Sequence, residues 1–299
     1  MKELVYLIQA PPSWLKTPSL ALVFLKNYLI NKGHNVGIYD LNIEIFKTLN
    51  IQQNQWLSLN QDFEENLFAA IENKYPDILN NLYKRIEPAR FIGLSLTKRN
   101  APFSFELAKR ITDKFKDKEI IFGGPHALLL ERENKLDSKN HWVIGEGEIP
   151  LEQILHGSQD KIYRFQEIQD LDTLPFYDFE PLDINSYSNY LPLLTSRGCP
   201  YRCNFCSEKL LSKTFRHHSP KYMIDQIMLL KNKYNTNNFL FCDSLINYKR
   251  VWLQNFCQLV IKNNLSINWE AQIRVDKNFT VQLAQLMKQA GCYNLFVGL

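Results

Sequence analysis

Three cysteines, Cys199, Cys203 and Cys206, stand in the run Thr-Ser-Arg-Gly-Cys-Pro-Tyr-Arg-Cys-Asn-Phe-Cys, a CxxxCxxC spacing. That spacing brings three thiolates together on one short loop. Three soft ligands suit an iron–sulfur cluster, and a four-iron cluster held by three protein ligands leaves one iron open. An open iron binds a small molecule and passes it an electron. The rival is a structural zinc site, but such sites are closed by four ligands, commonly in CxxC pairs. The nearest spare ligands, His217, His218 and Cys242, make no second CxxC or HxxxH pair.

A disulfide framework is a weaker reading still. Met1-Lys2-Glu3-Leu4 runs straight into a strand-like segment with no signal peptide, and the apolar stretch ends at Pro11-Pro12. No apolar run is long enough to span a bilayer. The expected compartment is a reducing cytoplasm, where thiols stay available for metal. All six cysteines lie at or after position 199. That asymmetry predicts two units, with metal chemistry confined to the second. Lys plus Arg number 35 and Asp plus Glu 31, a net charge of +4 with the signs interspersed. This is no footprint for nucleic acid, which is excluded as a partner.

In the first unit, residues 1–160, short apolar runs alternate with helix-period segments. Strands are expected at 4–8, 35–40, 91–95, 119–122 and 142–144, and helices at 19–31, 62–85, 101–116 and 149–155. Regular alternation predicts a Rossmann-like, doubly wound parallel sheet. Ligands bind such sheets outside the carboxyl ends of the strands. Those ends carry Pro11 and Pro12, then Ser95 and Thr97, then Gly123, Gly124, Pro125 and His126, and finally Gly145-Glu146-Gly147-Glu148. Each of these loops also reads as a plain tight turn, and the last as an acidic helix start. The GxGxxG nucleotide fingerprint is absent, which disfavours NAD and FAD.

Residues 161–190 show no clear period and read as an extended connector. From 191 onward a strand delivers the cysteine loop, and β/α alternation resumes. Helices are expected near 220–233, 248–262 and 279–290, and strands at 238–242, 267–271 and 293–297. The pattern suits a partial (β/α) barrel with its site at the carboxyl ends of the strands. The cysteine loop, Asp243 and Arg274 all fall at that end.

The cysteine spacing, with the aromatic Phe205 just before Cys206, resembles that of the radical S-adenosylmethionine (SAM) enzymes. The first unit resembles the cobalamin-binding domain that precedes many radical SAM domains. It shares the Pro-Pro after the first strand, the Lys32-Gly33-His34-Asn35-Val36 turn, Gly93-Leu94-Ser95, Gly123-Gly124-Pro125-His126 and the Gly145-Glu146-Gly147-Glu148 run. The resemblance implies a 4Fe–4S cluster on Cys199, Cys203 and Cys206, and SAM near Phe205, Asp243 and Arg274. It implies cobalamin at Pro11, Pro12, Ser95, Thr97, Gly123, Gly124, Pro125, His126, Gly145 and Glu146. The DxHxxG loop of other cobalamin proteins is missing, so no histidine is expected beneath cobalt. Asp243 and Arg274 also read as a structural ion pair, and Phe205 as simple loop packing.

The implied activity is reductive cleavage of SAM for methylation of an unactivated carbon or phosphorus of a small-molecule substrate. A reductant such as flavodoxin or ferredoxin would supply the electron. The alternatives are a radical cyclisation such as tetrapyrrole ring formation on the same scaffold, and a non-catalytic, metal-stabilised remnant. A tRNA methylthiotransferase is disfavoured, because its amino-terminal domain carries cluster cysteines and residues 1–198 have none. In the family the last strand continues into a glycine–glutamate segment and two further β/α units. The barrel is therefore expected to be incomplete here, its end lost or supplied by a complementing chain.

Overall fold

The computed structural model describes residues 4–276 and 279–298 and divides them into two compact units. The first comprises residues up to Leu15, Ala21–Glu167 and Phe179–Ser186; the second comprises Lys16–Leu20, Ile168–Asp178 and Tyr187 onward.

The first unit opens with β1 (Leu4–Gln9), α1 (Leu20–Asn31) and β2 (Asn35–Asp40), followed by α2 (Leu41–Leu49), α3 (Gln53–Leu57), α4 (Gln61–Lys74) and α5 (Pro76–Ile86). It continues through β3 (Phe91–Ser95), α6 (Ala101–Lys114), β4 (Glu119–Gly123), α7 (Pro125–Arg132), β5 (His141–Ile144), α8 (Glu148–Leu155) and β6 (Ile162–Arg164). The six strands form one parallel sheet in the order β2-β1-β3-β4-β5-β6. The chain leaves β1 toward one edge and returns on the other side at β3. The switch in winding direction therefore falls between β1 and β3, where a doubly wound sheet opens a crevice. Val5, Ile8, Ile92, Leu94, Ile120 and Phe122 are buried along the sheet, as strands covered on both faces require.

Two expectations for this unit are corrected. The single helix expected over 62–85 is two helices, because Pro76 has no N–H to donate to the preceding turn and opens α5, while Tyr75 turns out of helical geometry at φ −136°. The expected connector contributes β6 to the sheet, and residues 179–186 pack with the first unit.

The second unit holds β7 (Leu191–Leu193), β8 (Ser196–Arg197), α9 (Glu208–Leu211), β9 (Arg216–His217) and α10 (Pro220–Tyr234). After these come β10 (Asn238–Phe241), α11 (Arg250–Lys262), β11 (Asn268–Ile273), α12 (Val281–Gln289) and β12 (Cys292–Val297). Four strands make an open parallel sheet, β12-β11-β10-β7, and β8 pairs antiparallel with β9. The strand expected to run unbroken into the cysteine loop is thus split after Leu193. Its second part forms a two-residue hairpin with β9, which clamps both ends of the loop.

Alternation gives this sheet two unlike faces. Phe239, Phe241, Trp269, Ala271 and Ile273 are buried beneath the helices, with Phe241, Phe256 and Trp269 in mutual edge-to-face contact. The opposite face carries Leu240, Cys242, Glu270, Gln272, Asn294 and Phe296, a polar and partly open floor.

Candidate functional site

In the first unit the candidate site is the carboxyl edge of β1, β3 and β4. Asn100, fully buried, ties the loops there together. Its Nδ2 donates to Ser95 O (3.0 Å) and Ala10 O (3.4 Å), and its Oδ1 accepts from Thr97 N (2.7 Å). Gly124 sits at φ +85°, and a Cβ there would lie 2.7 Å from Leu96 O and 2.8 Å from Ser95 Oγ. Only glycine permits that approach. His126 follows in the first turn of α7, its backbone N–H donating to Leu96 O at 3.0 Å. Its ring Nδ1 is buried with no hydrogen-bond partner among the described residues. Burial, outweighing Glu133, depresses its pKa, so the ring is neutral at physiological pH.

Several residues expected at a ligand also have structural partners. Pro11 and Pro12 are buried and shape the β1 loop from within. The exposed aromatic on that loop is Trp14, which periodicity gave no reason to single out. Thr97 Oγ1 accepts from Asn100 N at 3.3 Å and serves the turn. Gly123 has only ordinary contacts with Val143. Gly145, at φ +101°, makes room for Phe165, and Gly147 for Leu25. The acidic run is therefore a strand-to-helix turn packed from two sides, with Glu146 half-buried between the glycines and Glu148 buried.

In the second unit three polar anchors converge on the cysteine loop. Asp243, just past β10, is 1% exposed. Its carboxylate accepts from Thr195 N (3.0 Å), Thr195 Oγ1 (2.7 Å) and the Ser196 hydroxyl. Burial raises its pKa against the lowering effect of these bonds. Asp243 was expected at SAM; its oxygens instead hold the strand that leads into the cysteines. It makes no ion pair with Arg274. That guanidinium lies 4.4 Å over the ring of Tyr201, inside the cysteine loop. Asn247, which the sequence reading missed, fixes Arg274 by a two-way bond to its backbone (2.8 and 3.1 Å).

Cys199, Cys203 and Cys206 are free and half-buried on the loop, with Cys206 N bonded to Cys203 O at 3.1 Å. Among the described residues no three His, Cys, Asp or Glu side chains converge tightly enough for a single metal ion. Tetrahedral zinc, with Zn–S near 2.3 Å, would hold its sulfurs about 3.8 Å apart. A four-iron cube is larger and spreads its thiolates wider, and metal binding itself completes such sites. The donor set, three accessible thiols on one clamped loop, fits the cluster. Phe205 is 94% exposed, so burial in loop packing does not account for it.

The concave floor adds a second missed pair. Lys16 Nζ donates to Glu270, whose other oxygen accepts from Asn294 Nδ2 at 3.0 Å. Burial alone would raise the Glu270 pKa, but Lys16 and Asn294 bring it below the ordinary carboxylate range. Cys242 reaches solvent on the same floor yet has protein on most sides, and this desolvation pushes its thiol pKa upward. Cys257 and Cys292 are buried thiols, as expected of core residues.

No family model matches the chain. Among solved structures, the fold is similar over 100% of the chain to that of the radical SAM methyltransferase TsrM from Kitasatospora setae, which holds cobalamin and a [4Fe–4S] cluster (TM-score 0.69, 15% identity, 61% of that chain). The cobalamin-dependent SAM radical enzyme OxsB matches 99% of the chain at TM-score 0.73 and 17% identity, over 44% of its own length. The fold is that of the cobalamin-dependent radical SAM enzymes.

Three curated relatives align with the chain. An uncharacterized methyltransferase of Pyrococcus horikoshii is 24% identical over 94% of the chain and 60% of its own length. The bacteriochlorophyllide d C-12(1)-methyltransferase of Chlorobaculum tepidum is 24% identical over 78% of the chain and 54% of its own. The anaerobic magnesium-protoporphyrin IX monomethyl ester cyclase of Synechocystis is 25% identical over 70% and 47%. The chain thus spans about half the length of these relatives.

Proposed function

We propose that this chain is the cofactor-bearing part of a cobalamin-dependent radical SAM enzyme that methylates an unactivated centre of a small molecule. The observation that carries the reading is the cysteine loop, clamped by the β8–β9 hairpin and anchored through Asp243 at the carboxyl ends of a parallel sheet. Cys199, Cys203 and Cys206 would hold three irons of a 4Fe–4S cluster. Held there with one iron open, such a cluster would supply the electron for reductive cleavage of the SAM sulfonium. Arg274, fixed by Asn247 and stacked on Tyr201, offers a guanidinium beside the loop for a carboxylate such as that of SAM. Phe205 offers an exposed ring for adenine. Asp243 positions the loop.

The carboxyl edge of the first sheet would take cobalamin, a methyl carrier when bound. His126, with its unpartnered ring nitrogen, and the Ser95–Gly124 loop pair are the residues offered to it. The buried Pro11 and Pro12 and the packed Gly145 act behind that surface. No helix among the described residues is long and apolar enough to cross a membrane. A reducing cytoplasm that keeps the thiols free, with flavodoxin or ferredoxin as electron source, completes the reading.

Two measurements test it. Anaerobic reconstitution with iron and sulfide, followed by SAM and a reductant, is expected to release 5′-deoxyadenosine; none with a fully loaded cluster would refute SAM cleavage by this chain. Cobalamin titration is expected to change the visible spectrum in a way that His126→Ala weakens. An unaltered spectrum at saturating protein would remove cobalamin from the account. Relatives divide between methyl transfer and ring formation, and analysis of methyl incorporation from labelled SAM separates the two.

A further inference from the structure

The chain has five tryptophans, and four of them are fully accommodated by the fold. Trp56, Trp142 and Trp269 are fully buried and Trp252 nearly so. Each donates its Nε1–H to a backbone carbonyl: Trp56 to Ser13 (3.1 Å), Trp142 to Asp137 (3.1 Å), Trp252 to His218 (2.6 Å) and Trp269 to Ala290 (2.8 Å). Such an indole has its apolar body packed away and its one polar group paired. Trp14 is the exception. It is 54% exposed, and its N–H has no acceptor among the described residues.

A lone exposed apolar side chain needs no explanation, but Trp14 is held out by a loop that is fixed on both sides. Ser13 N donates to Asn42 Oδ1 at 2.8 Å, and Ser13 O accepts the Trp56 indole N–H. Trp56 is held in turn, because Arg99 donates to its carbonyl (3.2 Å) and pairs with Glu64 (2.6 Å). Pro11, Pro12 and Leu15 are buried. The indole is thus presented on a backbone with little freedom left to lose, which makes an aromatic side chain a strong binding anchor. Its place is the carboxyl end of β1. Asn100 ties that loop, through Ala10, to Ser95 and Thr97 after β3, and Gly124 after β4 closes on Ser95 and Leu96. Three adjacent strands span about 10 Å at the usual spacing, so the Trp14 loop and the His126 turn border one ligand-sized stretch of the sheet edge.

We propose that Trp14 is a binding residue of the cobalamin site, its indole packing on the rim of the corrin ring and its Nε1–H donating to an amide carbonyl there. The inference rests on the cobalamin reading above and adds a residue to it. The chemistry of the corrin matches: its periphery carries methyl groups beside acetamide and propionamide chains, apolar patches next to neutral hydrogen-bond acceptors. An indole meets both with one side chain. The contact is non-covalent, and no bond is made or broken. The nucleotide arm of cobalamin is a different target. Cobinamide keeps the ring and lacks the arm, so it separates the two.

The test measures equilibrium dialysis of aquacobalamin and of cobinamide against the native chain, Trp14→Phe and Trp14→Ala. Trp14→Ala is expected to bind both corrinoids at least about tenfold more weakly. Trp14→Phe, which keeps a ring but not the N–H, is expected to bind both about threefold more weakly. Thermal unfolding without corrinoid is expected to be unchanged, since the side chain faces solvent in the free chain. Hydroxyl-radical footprinting is expected to oxidise Trp14 in the free native chain and to spare it once cobalamin is bound. Native affinity in Trp14→Ala, or equal oxidation of Trp14 with and without cobalamin, overturns the proposal. A loss confined to cobalamin also overturns it, because the indole would then serve the nucleotide arm. If Trp14→Ala folds poorly, Trp14→Phe and the footprint of the native chain still decide. A native chain that binds neither corrinoid removes the cobalamin reading and this inference with it, whereas native binding that the variants leave unchanged removes this inference alone.

Discussion

A single buried carboxylate governs the approach to the cysteine loop. Replacing Asp243 by Ala leaves the Thr195 N–H and the Thr195 and Ser196 hydroxyls buried without their acceptor. Loss of about 2–4 kcal/mol is expected in urea unfolding, and Asp243→Asn, which keeps one acceptor oxygen, is expected to lose less. Equal losses for the two variants would show that the carboxylate is not the anchor. At the other edge, Gly124→Ala forces a Cβ against backbone Leu96 O in a left-handed conformation. Destabilisation of at least about 2 kcal/mol is expected by thermal unfolding, and a neutral outcome contradicts the close approach. The cysteines were legible because their spacing has no packing explanation. Asn100, Asn247 and Lys16 were not, since an isolated polar residue reveals its buried partners only once distant segments meet. Pro11 and Pro12 were legible as a turn but their burial was not, since sequence does not mark which side of a turn faces solvent.

Elements were legible where hydrophobic period and terminators agreed. Ser219 caps α10 and Pro220 opens it, as their order implied. The helix expected over 62–85 failed because Pro76 was read through rather than as a start signal. The β8–β9 hairpin carries two residues per strand, too short for any period. Between that hairpin and α10, His218 is stacked on Tyr222 at 4.1 Å and faces Asp172 at 3.3 Å. Burial outweighs Asp172 and pushes its pKa down to about 4. The folded state therefore holds this ring neutral, while the unfolded chain takes up the proton near the ordinary value. Stability present above about pH 6.5 is lost as pH falls toward 4, by about 3 kcal/mol. A His218→Gln variant is expected to show that much less loss between pH 7 and 4 in denaturant titrations; parallel curves would contradict it.

At the scale of the molecule, alternation of strands and helices was enough to give two parallel α/β units, because doubly wound and barrel-like sheets share that rhythm. Sheet order was not legible, since it depends on the direction of each crossover. Nor was the interleaving of residues 16–20 and 179–186, which cross the boundary a composition break would draw. Charge belongs to this scale too: a modest net of +4 concealed its concentration around one loop. The central claim is that this loop holds a cluster with one iron open to SAM. Electron paramagnetic resonance of the anaerobically reconstituted, dithionite-reduced chain, recorded with and without SAM, tests it most directly. The account predicts about four irons per chain, and a signal that SAM shifts and that substitution of Cys199, Cys203 or Cys206 by Ala abolishes. Bound zinc in place of iron, or a cluster signal that SAM leaves unchanged, would contradict it.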